Sequence, residues 1–80
     1  MDNLSIAGIR IDQRTDAATK VQEILTQNGD MILNRFGMHD PIEVNTGLIT
    51  LNLRAEKNRI KNMMNDLSEI SGVRVNHMEV

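Results

Sequence analysis

The sequence predicts an α+β domain of the ferredoxin-like, β-α-β-β-α-β class: a four-stranded antiparallel sheet in the order 4-1-3-2, with two helices on one face. Three observations carry this. The chain reads extended run (4–12), helical stretch (15–28), extended run (31–38), and then repeats the layout at 47–53, 57–70 and 73–80. The first and third runs are the most apolar, and this strand order puts those two in the centre. The layout also occupies nearly all 80 residues, so a single domain over residues 1–80 is expected.

Leu4, Ile6, Ala7, Ile9 and Ile11 make the first run apolar on both parities. A strand with one wet face would alternate, so cover on both faces is expected. Gly8 within the run marks a bulge or a close backbone approach. Thr15 is placed as the N-cap of the first helix, with Asp16 in the first turn, where the helix dipole favours a carboxylate. Ala18, Val21, Ile24 and Leu25 form its apolar stripe, and Gly29 its C′ stop.

In the third run Ile49, Leu51 and Leu53 are assigned to the helix-covered face, and Leu48, Thr50 and Asn52 to the open one. The second helix puts Ile60, Met63, Met64, Leu67 and Ile70 on one face and ends at Ser71-Gly72. An apolar open sheet face marks an interface. Ile9 and Ile11, with Leu48 and Thr50, are the residues expected there.

Composition narrows the function classes. With no cysteine, tryptophan or tyrosine and a single phenylalanine, the core falls to Ile, Leu, Val and six methionines. Domains this small bury only about 60% of the surface their unfolded chain exposes. Association with another copy, as dimer or tetramer through the sheet, is the expected supplement. Nine basic residues against eleven acidic ones give a net charge of −2 with no basic stripe and no aromatic platform. That pattern argues against nucleic-acid binding by this chain alone. No run has the length of a signal or membrane segment, so a cytoplasmic protein without membrane attachment is expected.

Catalytic chemistry needs converging groups, and none is visible: no Gly-x-Ser-x-Gly elbow, no phosphate loop, no His-Glu-x-x-His. A non-enzymatic chain without a cofactor is the expectation. His39 and His77 fall on strands at opposite edges, roughly 14 Å apart at about 4.8 Å per strand. They can share a metal only across subunits, with Asp40 or Glu79 as further ligands, because a site needs three or four. The connection His39-Asp40-Pro41-Ile42-Glu43-Val44-Asn45-Thr46 is the longest in the chain, and such loops carry function. Arg35, Gly37, His39, Asp40 and Gly47 around it are the candidate ligand-binding residues. The glycines allow close backbone approach; Arg35 and His39 offer charge or hydrogen bonds.

Several segments carry a family resemblance: Ile6-Ala7-Gly8-Ile9-Arg10-Ile11 followed by Asp12-Gln13-Arg14, the stretch Gly29 to Met38, Thr46 to Leu51, and Ile70-Ser71-Gly72-Val73-Arg74-Val75. They resemble the iron-only hydrogenase system regulator family over essentially the whole chain, with Ser71 in place of that family's common proline. The resemblance implies an ACT-like domain, related in fold to the ligand-binding half of the nickel-responsive repressor, pairing through its sheet. That repressor's metal site uses several histidines and a cysteine, and it carries a DNA-binding ribbon; this sequence offers His39, His77 and no cysteine. Nickel sensing and operator binding are therefore not carried over.

The function expected is a ligand-responsive, oligomeric regulatory module of the iron-only hydrogenase system. Its small-molecule effector binds at a subunit interface near the Gly37–Gly47 connection. The alternatives are a metal sensor with its site shared between subunits, or a structural protein pairing with another chain through the sheet.

Overall fold

The computed structural model describes residues 2–12 and 16–80, so the Thr15 cap lies outside the described residues. The elements are β1 (Asn3–Ile11), α1 (Asp16–Gln27), a 3-10 turn (Gly29–Met31), β2 (Ile32–His39), β3 (Gly47–Ala55), α2 (Lys57–Ser68) and β4 (Val73–Glu79). The sheet is antiparallel with the order β2-β3-β1-β4, which is 4-1-3-2 read from the other edge. The fold is the ACT-like, ferredoxin-like arrangement expected.

Cross-strand partners share a face, so the register sorts every strand residue. His39, Gly47, Ile11 and Val73 form one helix-side row; Gly37, Ile49, Ile9 and Val75 form the next. On the open face the rows are Met38-Leu48-Arg10-Arg74, Phe36-Thr50-Gly8-Asn76 and Asn34-Asn52-Ile6-Met78. Ile49, Leu51 and Leu53 are buried beneath the helices while Leu48 is exposed, as the alternation predicts.

β1 corrects the sequence reading. It alternates: Ser5, Ala7, Ile9 and Ile11 are buried, whereas Ile6 and Arg10 are exposed. Ile9 and Ile11 retain 0% and 3% exposure inside the helix-covered core, so they are not open-face interface residues. The open-face positions between and beside them belong to Gly8 and Arg10. The register runs unbroken through Gly8, and a Cβ there would meet nothing within 4 Å. Gly8 is neither a bulge nor a close approach; the sheet's irregularity falls between Ile32 and Asn34.

α1 buries Ala17, Val21 and Leu25, an i, i+4, i+8 ridge, with Ile24 packed beside it. Ala18, expected in the stripe, sits on the rim. The helix does not end on a left-handed Gly29, since Gly72 alone among the described glycines has positive φ. Instead Asn28 Nδ2 donates to the Ile24 carbonyl at 2.8 Å, satisfying a carbonyl the helix end leaves open. The chain then tightens into the 3-10 turn, which buries Met31.

α2 buries Ile60, Met63, Met64 and Leu67, with Ile70 packed at the margin. Its first turn holds no acid. Asp30 supplies one from outside: both its carboxylate oxygens accept from Arg59, each at 2.6 Å. Gly72, at φ 84°, then reverses the chain into β4, and its carbonyl accepts from the Asp12 N–H at 2.8 Å. That bond ties the end of β1 to the entry of β4.

Candidate functional site

The β2–β3 connection, residues 40–46, is held by its own hydrogen bonds. Asp40 Oδ1 accepts from the Ile42 N–H at 2.8 Å, the Asx geometry an aspartate before a turn favours. Asp40 N–H donates to the Thr46 carbonyl at 2.9 Å, and Thr46 N–H to the Glu43 carbonyl at 2.8 Å. Thr46 is buried at the root of the turn. Pro41 keeps Asp40 extended and has no N–H to leave unsatisfied.

Two clefts flank this connection and meet at Gly47. One, of about 230 Å³, opens on the helix side between α1 and β2. Ala18 and Gln22 form one wall, Gly37 and His39 the other, and Ile11 and Ile49 the apolar floor. The second, of about 340 Å³, lies at the open face beside Arg10, Met38, Asp40, Pro41, Thr46 and Leu48.

The sequence-predicted residues are thus divided. Gly37, His39 and Gly47 line the helix-side cleft, and Asp40 and Gly47 the open-face one. Gly37 and His39 share the helix-side parity of β2, whereas Met38 and Leu48, at the rim, touch both clefts. Arg35 lines neither cleft, but its guanidinium donates to the Gln22 side-chain carbonyl, so it braces that wall. Gly37 keeps the first cleft open: a Cβ there would come to 4.0 Å from Ile49 Cγ1.

Arg10, Gln22 and Thr46 were not anticipated. Arg10 needed the pairing Arg10–Leu48 to be known. Gln22 could have been found from the helix alone, since it lies four residues after Ala18 on one face. Arg10 Nε donates to Asp12 Oδ1 at 2.8 Å. This hydrogen bond and the charge of Asp12 hold the guanidinium proton more tightly than usual, with smaller contributions from Asp40 and Glu43. Asp12 also faces a second cation, Arg74, at 4.0 Å.

The two histidines stand on the two edge strands, and their cross-strand partners put both on the helix-side parity. Among the described residues no three His, Asp or Glu groups lie close enough together to hold a metal ion. No helix among them is long and apolar enough to cross a membrane.

The family model described as "TM1266-like: Iron-only hydrogenase system regulator, putative" matches residues 3–77. Among solved structures, protein TM1266 from Thermotoga maritima is 30% identical, with 100% of this chain and 99% of that chain covered and a TM-score of 0.92. The ACT domain of a GTP pyrophosphokinase from Chlorobium tepidum shares the fold at 14% identity, covering 98% and 100% of the two chains with a TM-score of 0.79. The C-terminal domain of the MgtC protein from Mycobacterium tuberculosis does so at 16% identity, covering 98% and 89%, with a TM-score of 0.70. No functionally curated protein matches the sequence.

Proposed function

The chain belongs to the TM1266-like family of iron-only hydrogenase system regulators, and on that premise we propose that it is a cytoplasmic, non-enzymatic module that senses a small-molecule effector. The observation that carries the reading is the pair of clefts meeting at Gly47, at the end of the sheet where the longest connection is pinned. An ACT-like fold with a site at its margin suits regulation. An effector that binds one arrangement of subunits better than another shifts the population by that difference in affinity.

In this reading Gly37 and Gly47 let the effector approach the backbone. His39 and Asp40 supply hydrogen bonds from the two sides of the connection, and Arg35 acts through Gln22. The module works as a homo-oligomer paired through the sheet's open face, where Leu48 and Thr50 lie. A metal site shared by His39 and His77 would instead need edge-to-edge pairing, because both residues have the helix-side parity.

The test is a two-dimensional NMR titration of the labelled chain with a panel of amino acids and nucleotides. Shifts centred on Gly37, His39, Asp40 and Gly47, with Ala18 and Gln22 on the facing helix, are expected, and Gly37→Leu, which fills the helix-side cleft, is expected to abolish them. Binding that survives Arg35→Ala, His39→Ala and Gly37→Leu unchanged would remove the site assignment.

A further inference from the structure

The chain has no cysteine, so its sulfur is wholly thioether. The described methionines divide by face. Met31, Met63 and Met64 lie beneath the helices at 1–3% exposure, whereas Met38 and Met78 stand on the open face at 45% and 60%. The register puts these two on opposite edge strands, Met38 in the row with Leu48 and Arg10, Met78 in the row with Ile6. Each borders a depression: Met38 the open-face cleft, and Met78 a hollow of about 260 Å³ that it shares with Ile6, Gly8 and Asn76.

An exposed thioether is open to a peroxide. The sulfur lone pair attacks one peroxide oxygen, and the S–O bond forms as the O–O bond breaks. The proton of the attacked oxygen passes to the departing one, which leaves as water or an alcohol. Sulfur gives up two electrons and the peroxide accepts them. The product, methionine sulfoxide, is polar, and a thiol-dependent reductase returns it to the thioether, two thiols giving a disulfide and water. A thioether suits a covered surface because it is apolar and adaptable. A sulfoxide adds an acceptor oxygen that loses its water when the face is covered. The hollow beside Met78 exposes almost no polar surface, so little in its own lining replaces that water.

We infer that Met38 and Met78 form a reversible oxidation switch on assembly. A peroxide converts both to sulfoxides and the paired copies separate, while the fold stays intact because Met31, Met63 and Met64 are out of reach. Pairing covers the same two sulfurs, so peroxide acts on separated copies and holds them apart until the sulfoxides are reduced. A buried acceptor left without a partner weakens association by about 5- to 150-fold. A two-fold pair buries each sulfoxide twice, so the loss compounds. The inference rests on the homo-oligomeric part of the reading above, pairing through the open face, and adds its regulation.

Sedimentation equilibrium of the full chain before and after mild hydrogen peroxide tests it, with mass-spectrometric peptide mapping and far-UV circular dichroism alongside. Met38 and Met78 are expected to oxidise at least about 10-fold faster than Met31, Met63 and Met64, and more slowly at concentrations where the chain is paired. The oxidised chain is expected to keep its circular dichroism spectrum while its dissociation constant rises by about 30-fold or more. Methionine sulfoxide reductase should restore pairing. Met38→Leu/Met78→Leu, a volume-conserving change, should pair and ignore peroxide, and Met38→Gln/Met78→Gln should pair as weakly as the oxidised chain without it. Met1, outside the described residues, is common to every variant. Sulfoxides at 38 and 78 that leave the molar mass unchanged, or a leucine double variant that peroxide still separates, overturn the switch and leave the homo-oligomeric reading standing. A wild type that stays monomeric from micromolar to submillimolar concentration overturns both.

Discussion

Replacing Gly72 with alanine tests the junction between α2 and β4. The residue sits at φ 84°, where an L side chain costs about 1–2 kcal/mol. An added Cβ would also stand 3.0 Å from the Asp12 carbonyl oxygen, a backbone atom with little freedom to move. Asp12 cannot withdraw without stretching its own 2.8 Å N–H bond to the Gly72 carbonyl, worth about 1 kcal/mol net. Together these give a loss of about 1–3 kcal/mol. For a domain of this size each kcal/mol lowers Tm by about 4–8 °C.

The assay is urea unfolding followed by circular dichroism at fixed protein concentration, because self-association would add to apparent stability. The midpoint should fall while the slope stays constant. Gly72→Asn should lose less than Gly72→Ala, since asparagine tolerates the left-handed region. Gly29→Ala is the control. It has no positive φ, and a Cβ would meet nothing within 4 Å, so a change between zero and a stabilisation of about 1 kcal/mol is expected. If Gly72→Ala proves as mild as Gly29→Ala, the backbone argument is wrong.

Leu67→Ala, at 0% exposure in the centre of the core, should cost about 2–5 kcal/mol, measured by the same unfolding experiment. Leu33→Ala, at 58% exposure beside the strand irregularity, should stay within about 0.5 kcal/mol. The Arg59 hydrogen bonds and charge hold the Asp30 carboxyl below its ordinary range. A carbon-detected NMR titration should show this, and Arg59→Gln should move it back up toward the ordinary aspartate range. The sign follows: the pair favours the fold above the ordinary aspartate pKa, and the benefit disappears as pH falls through the lowered one. Salt should shrink the effect, since both groups are exposed. Asp40→Ala removes the acceptor for the Ile42 N–H. Hydrogen exchange at Ile42 should accelerate several-fold or more, with the Asp12 amide unaffected.

The element order, the two helices and the placing of Ile49, Leu51 and Leu53 beneath them were legible because each rests on a short-range period. The α2 face, Ile60 to Leu67, was legible for the same reason. β1 was not, because Ile6 and Ile9 are equally apolar and periodicity cannot say which parity the helices will cover. The structure gave the buried side to Ile9 and Ile11 and left Ile6, Gly8 and Arg10 outside. Similarly, Gly29 and Gly72 both follow helices; only the path of the chain shows which one must turn left-handed.

The candidate site divides along the same line. The connection after β2, with glycines at either end, could be read directly, because a polar, proline-containing segment interrupts two apolar runs. That its residues serve two clefts rather than one could not. Whether Gly37 and Asp40 meet depends on strand parity and on where α1 lies, and whether Arg10 joins Asp40 depends on the β1–β3 register. Those relations join segments far apart in the chain, as does the Arg59–Asp30 fork, whose residues are 29 positions apart. The sequence by itself determined the class of fold, because local hydrophobic period and chain length allow few others. Only the tertiary structure decided which faces, clefts and charges stand together, because that depends on pairing between segments that no local pattern encodes.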